Sequence, residues 1–160
     1  MTNLISDAFI QAKELVMKAM GELVADGTFP AEPVPAFNTE IPADSKNGDV
    51  STNAAMVCAR PFRNNPRKIA EAIVSKIDLN GSYFARCEVA GPGFINFFYS
   101  PEWYATVVAT VLEQKEKYGE TDLGAGKSVL VEFVSANPTG PMHIGNARGG
   151  AIGDCLASVS

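Results

Sequence analysis

The stretch Val129-Leu-Val-Glu-Phe-Val-Ser-Ala-Asn-Pro-Thr-Gly-Pro-Met-His-Ile-Gly-Asn146 decides how the chain is read. A β-rich apolar run, Val129 to Val134, feeds a loop with two prolines and a glycine between Asn137 and Pro141. His143-Ile144-Gly145-Asn146 then opens a small-residue stretch of helical character. Strand, loop and helix N-terminus in that order is how an α/β fold builds an anion site. The first helical N–H groups lack partners, and the helix dipole favours negative charge. His143 stands at the mouth of the expected helix, and the glycines let a ligand lie close against the backbone. One strand and one helix cannot make a doubly wound sheet. The helical run from Ala147 to Ser160 also stops without Gly, Pro or a cap. The sequence therefore reads as a piece of a longer protein, cut just inside its second domain.

A length of 160 residues suits one domain, or one domain and part of another. With 46% hydrophobic and 19% charged residues the chain is an ordinary globular protein, not a disordered one. The net charge of −5 argues against indiscriminate nucleic-acid binding and leaves room for a local basic patch. No apolar run approaches the roughly 20 residues of a membrane span, and no signal-peptide pattern opens the chain. Cys58, Cys87 and Cys155 are widely spaced and form no Cys-x-x-Cys pair. They read as buried thiols in a reducing cytoplasm, and no metal site is expected.

Residues 3 to 25 carry apolar residues at helical spacing, from Leu4 and Ala8 through Ala12, Val16 and Ala19 to Leu23. Thr2 or Asn3 is the expected cap, and Asp26-Gly27 the stop. Four prolines between Pro30 and Pro42 rule out a helix, while the alternation from Val34 to Ile41 predicts an edge strand. Asn47-Gly48-Asp49 signals a turn, and Ser51 or Thr52 is expected to cap a short helix over 53–60. Asp49 and Asn53 are expected to hydrogen-bond that turn onto the helix start. Asn65-Pro66 starts a further helix, with Ile69, Ala70, Ile73, Val74 and Ile77 on its apolar face. Arg60, Arg63, Arg67 and Lys68 cluster at its start, as a solvated basic face or as a contact for RNA phosphates.

Asn80-Gly81 opens two predicted strands, 83–89 and 94–99, separated by Ala90-Gly91-Pro92-Gly93. That connector is too irregular for a two-residue hairpin, so the two strands need not be neighbours. Alternation puts Phe94, Asn96 and Phe98 on one face and Ile95, Phe97 and Tyr99 on the other. An Asn between two Phe suggests a half-exposed aromatic surface; plain sheet core is the competing reading. Ser100-Pro101 caps a helix to about Tyr118, with Trp103, Val107, Val108, Val111 and Leu112 as its expected buried stripe. Residues 120–127 read as a linker.

The His-Ile-Gly-Asn run resembles the His-x-Gly-His signature of class I aminoacyl-tRNA synthetases. The context Val-Glu-Phe-Val-Ser-Ala-Asn-Pro-Thr-Gly-Pro-Met-His-Ile-Gly is similar to arginyl-tRNA synthetase of the bacterial kind, with Asn146 in place of the second His. Two further runs resemble that family in the same order: Gly48-Asp-Val-Ser-Thr-Asn53 and Ala90-Gly-Pro-Gly-Phe-Ile-Asn-Phe97. The resemblance implies an α+β N-terminal appended domain, a small antiparallel sheet with helices over residues 1–119. The first strand, loop and helix of a Rossmann-like α/β catalytic domain follow over 120–160.

It further implies ATP-dependent activation of L-arginine and its transfer to tRNA(Arg) by a cytoplasmic, monomeric parent enzyme, with Mg2+ accompanying ATP and no protein-bound metal. His143 and Asn146 are then the catalytic contacts, and His143, Gly145 and Asn146 hold ATP. Glu132, Ser135 and Asn137 hold arginine: a carboxylate suits a planar guanidinium and rejects lysine on geometry. Read without the family, Glu132 is equally an exposed strand-edge charge. Phe94 and Asn96 are the implied contacts for the tRNA D-loop, one stacking on a base and the other hydrogen-bonding it. The family's second signature, Lys-Met-Ser-Lys, is absent from these residues, so this chain alone is not expected to activate arginine. Two rivals are a free-standing RNA-binding module and a small-molecule adenylyltransferase that shares only the His-x-Gly loop.

Overall fold

A computed structural model describes residues 4–120, 124–137 and 139–159. The cap expected at Thr2 or Asn3, linker residues 121–123, loop residue Pro138 and the last helical residue Ser160 lie outside the described residues. The chain divides into two compact units, Thr2–Tyr118 and Gly119–Ser160.

The larger unit is a four-stranded antiparallel sheet with helices. α1 spans Leu4–Ala25 and buries Ala8, Ala12, Val16, Ala19, Met20 and Leu23, the face that the spacing predicts. Two short strands follow, β1 (Thr39–Glu40) and β2 (Val50–Thr52), then α2 (Ala54–Cys58) and α3 (Pro66–Lys76). β3 (Phe84–Ala90), β4 (Phe94–Tyr99) and α4 (Pro101–Gln114) complete the unit. Asn65 caps α3 by accepting the Arg67 N–H, and Ser100 caps α4 by accepting the Trp103 N–H. Each is followed by proline at the first helical position, where the missing N–H costs nothing.

Strand order in the sheet is β1-β2-β4-β3. Val50 pairs with Phe97 and Thr52 with Ile95, so these four share one face. They join α1, α2 and α3 in one core with Ala54, Cys58, Ile69, Ile73 and Phe84. The intervening row runs through Glu40, Ser51, Asn96 and Glu88 on the opposite face. The predicted division of β4 into an Asn96 face and a Phe97 face therefore holds.

Several expectations are corrected. The edge strand over 34–41 shrinks to Thr39–Glu40, because Pro33 and Pro35 bring no N–H to a ladder. β3 and β4 are direct antiparallel neighbours, turned by Gly91, Pro92 and Gly93. Gly93 takes φ +135°, and a Cβ there would lie 2.9 Å from the Pro66 carbonyl. Asp49 and Asn53 are structural, but neither caps α2. Asp49 Oδ2 accepts the Tyr99 N–H at 2.8 Å, and Asn53 Oδ1 accepts the Asn38 N–H at 3.0 Å. Thr52 Oγ1 serves the start of α2 instead, accepting the Ala54 N–H. Of the α4 stripe only Trp103 is buried, while Val108 and Leu112 are 58% and 69% exposed. Apolar periodicity marks a face suited to burial; whether anything covers it is a tertiary matter, and α1 to α3 already fill this core. Cys155 is exposed rather than buried, whereas burial raises the Cys58 thiol pKa.

In the smaller unit α5 spans Ile144–Val159. The strand expected over 129–134 is not formed: among the described residues this segment pairs with no other strand, and Leu130 is 95% exposed. An isolated strand gains no ladder hydrogen bonds to offset its ordering. The segment rests on α5 through Phe133 against Gly153 and Val134 against Gly150. Among the described residues no helix is long and apolar enough to cross a membrane.

Phe97→Ala removes a fully buried ring that meets Phe84 at 4.9 Å between centroids. It is expected to cost about 3–5 kcal/mol, read as a lower urea midpoint. Burial, the Asp49 carboxylate and the Tyr104 phenol together push the Tyr99 phenol up to about 12. An unfolded tyrosine titrates near pH ~10. The stabilisation is therefore complete below that pH and is lost as pH rises to about 12. Tyr99→Phe is expected to flatten that alkaline limb in a stability-versus-pH series; an unchanged limb would refute the assignment.

Candidate functional site

Asn96 is 2% exposed and Ser51 5%, although both lie on the sheet face away from the core. They are covered because the segment between β1 and β2 folds back over β4. Its short 3-10 turn, Ser45–Asn47, is opened by Asp44 accepting the Lys46 N–H. Gly48 then crosses the end of β4 at φ +89°, where a Cβ would lie 2.6 Å from the Phe97 carbonyl oxygen. Between this segment and the sheet is a cavity of ≈ 270 Å³. Glu40, Asn47, Ser51, Gly91, Phe94 and Asn96 are among its lining residues. The Ser51 hydroxyl donates to Asn96 Oδ1 at 2.7 Å, a buried side-chain pair joining β2 to β4.

Asn96 is thus no half-exposed surface amide: it lies in the wall of a cavity beside the half-buried Phe94. The two phenylalanines also differ. The Arg86 guanidinium lies 3.3 Å from the Phe98 ring centroid and pairs with Glu88, so Phe98 already carries a cation on its ring. Phe94 is the ring left to line the cavity. Arg67 ties α3 to the cavity's edge, donating to the Gly91 carbonyl at 3.2 Å while pairing with Glu71. Arg60, Arg63 and Lys68 are exposed on the same α2–α3 region and make no ion pair among the described residues.

In the smaller unit the Gly145 N–H donates to His143 Nδ1 at 3.1 Å. The His143 carbonyl accepts the Asn146 and Ala147 N–H groups at 2.9 and 3.3 Å. His143 therefore caps α5 with its own ring, which satisfies one orphan donor of the first turn. In that state the neutral imidazole carries its proton on Nε2, the atom left free to donate. A Cβ on Gly145 would sit 3.0 Å from the ring, so glycine lets imidazole and helix start lie together. The Ser135 hydroxyl is hydrogen-bonded to Glu132 Oε1, and both residues are exposed. Asn137 is exposed too, its carbonyl accepting the Thr139 N–H. The structure brings together Glu132 with Ser135, and His143 with Gly145 and Asn146; no hydrogen bond links the two groups among the described residues. Among the described residues no three His, Cys, Asp or Glu side chains gather to hold a metal.

Sequence reasoning missed Ser51, Glu40 and Asn47 as partners of Asn96. Only the cross-strand register and the return of the Pro42–Asn47 segment bring them together, and neither leaves a local signal.

Residues 5–99 match the family model described as "Arginyl tRNA synthetase N terminal domain". The chain belongs to the arginyl-tRNA synthetase family. It is 48% identical over 159 residues to the arginine–tRNA ligase of Acetivibrio thermocellus, covering 99% of this chain and 28% of that protein. It is 45% identical over 157 residues to the corresponding ligase of Geobacillus thermodenitrificans, covering 98% of this chain and again 28% of the relative. The crystal structure of Plasmodium falciparum arginyl-tRNA synthetase is similar in fold, at a TM-score of 0.57 and 22% identity. It covers 92% of this chain and 27% of that one. This synthetase chain thus spans little more than a quarter of the length of the relatives it matches. The matched family region takes in the cavity, from Glu40 to Asn96.

Asn96→Ala leaves the buried Ser51 hydroxyl without its acceptor. It is expected to cost about 1–3 kcal/mol in chemical denaturation. The double change Ser51→Ala with Asn96→Val removes both polar partners and is expected to recover part of that loss.

Proposed function

We propose that this chain is part of an arginine–tRNA ligase whose larger unit grips an unpaired base of the tRNA(Arg) D-loop. Its smaller unit contributes to the site for ATP and arginine. What carries the first half is the cavity between β4 and the Pro42–Asn47 segment, which joins an aromatic ring, Phe94, to a buried amide, Asn96. Unstacked loop bases are recognised by that pairing of a π-face with a hydrogen-bonding edge. A cavity of ≈ 270 Å³ suits one base better than a whole nucleotide chain. With a net charge of −5, attraction by the whole chain is weak, so a specific pocket has to supply selectivity.

For the second half, His143 donates from Nε2 to phosphate oxygens of ATP, and Gly145 lets the nucleotide approach the start of α5. Asn146 stands where the family signature has its second His; its amide still donates but takes no positive charge. Glu132, steadied by Ser135, pairs with the guanidinium of arginine, and Asn137 holds the amino-acid end of the substrate. Mg2+ arrives with ATP. In the reaction the carboxylate of arginine attacks the α-phosphate, pyrophosphate leaves, and the 3′-terminal ribose of tRNA then takes the arginyl group. Little covalent chemistry falls to side chains, so their task is positioning and stabilising charge on phosphate. The parent works in the cytoplasm as a monomer.

The test of the larger unit is a titration of this chain with tRNA(Arg), a D-loop variant and an unrelated tRNA at fixed low salt. The variant and the unrelated tRNA should bind more weakly. Phe94→Ala should lose about 1–3 kcal/mol of affinity for tRNA(Arg), the value of one stacked base. Equal binding to all three RNAs would end the D-loop reading. In the full-length parent, Glu132→Gln should cost about 1.5–3 kcal/mol in arginine use, since a charged hydrogen bond is lost. Arginine-dependent pyrophosphate exchange measures that loss.

A further inference from the structure

The Ser51–Asn96 bond is an odd way to join two strands. A pair of apolar residues would hold β2 to β4 as well, without burying a hydroxyl and an amide. Their immediate neighbours do this: Val50 faces Phe97 and Thr52 faces Ile95. The polar pair sits instead where the sheet borders the cavity, and both residues line it. Asn96 Oδ1 is occupied by the Ser51 hydroxyl. Among the described residues Asn96 Nδ2 has no protein hydrogen bond, so its donors are left to the cavity. The two ends of an amide are nearly the same shape and opposite in hydrogen-bonding sense, so an unrestrained Asn can present either. A hydroxyl bonded to one end removes that ambiguity.

We propose that Ser51 is a positioning residue: it locks the Asn96 amide with its N–H donors facing the cavity, and thereby makes the cavity selective for a base edge that offers a hydrogen-bond acceptor. Phe94 supplies the stacking surface, and Glu40 and Asn47 line the same space. This rests on the RNA-binding reading above and adds a residue that never touches the base. Loss of the lock leaves the ring in place but lets the amide turn, so the base's edge contributes less while its stacking survives.

The experiment is a coupling measurement with this chain and tRNA(Arg) transcripts in which each D-loop nucleotide in turn is made abasic. For wild type, one abasic position is expected to weaken binding roughly tenfold or more. In Ser51→Ala the penalty of that same abasic change should shrink to about a third or less, through weaker binding of the intact transcript. Ser51→Thr, which keeps the hydroxyl, should restore the wild-type penalty. Asn96→Asp keeps the acceptor for Ser51 and so keeps the sheet, but removes the donors; it should lose more on the intact transcript than on the abasic one. If Ser51→Ala weakens intact and abasic transcripts by the same factor, Ser51 merely supports the sheet and the proposal falls. If no abasic position weakens the wild type, the RNA reading itself falls, and this inference with it.

Discussion

β2 and β4 meet over three residue pairs, Val50 with Phe97, Ser51 with Asn96 and Thr52 with Ile95, and the rest of the larger unit is arranged by that register. Side chains on a strand alternate strictly, so a slip of one residue would send Phe97 to the open face and Asn96 into the core. Asp49 guards against the slip from one end of the ladder. Its backbone N–H donates to the Phe97 carbonyl and its carboxylate accepts the Tyr99 N–H. Gly48 lets the chain reach that position, since any side chain there would strike β4. A Gly-Asp pair is thus a register pin as well as a turn.

From this pin the division of labour between the two faces follows. The face of Val50, Ile95 and Phe97 is sealed by three helices whose inner residues are small or branched, Ala8, Ala12 and Ala19 beside Val16, Ile69 and Ile73. Small residues let the helices approach the sheet closely, and the core closes without buried charge. The other face is covered only in part, by the Pro42–Asn47 segment, and partial cover is what makes a cavity. An aromatic ring beside a buried amide in such a space is a recognition surface; the same residues under a helix would be plain core.

The smaller unit follows a different logic. Its segment 129–134 is apolar enough for a central strand, yet it has no neighbouring strand to pair with among the described residues and rests on α5 through Phe133 and Gly153. What survives is local chemistry. The His143 ring accepts the Gly145 N–H, a bond between residues two apart that needs no sheet behind it. The mouth of the helix is therefore organised, and its imidazole tautomer set, by four consecutive residues.

Contacts close in sequence were legible from the residues alone. Asn65 and Ser100 as caps, each followed by proline, α1 with its apolar face, and the alternation of β4 are all decided by neighbours within a few positions. So were the family and the identity of His143 and Glu132 as candidate residues, because the motifs that carry them are continuous. Tertiary structure decided what depends on distant partners. It made Asn96 a buried amide, bonded to a serine 45 positions away in sequence, where alternation alone pointed to an exposed one. It left the α4 stripe uncovered and the 129–134 run without a ladder, since a hydrophobic pattern states what a segment would bury but not what stands opposite it. Local bonds are written in local sequence; burial and cavities belong to whichever remote segments arrive, and only the folded chain specifies those.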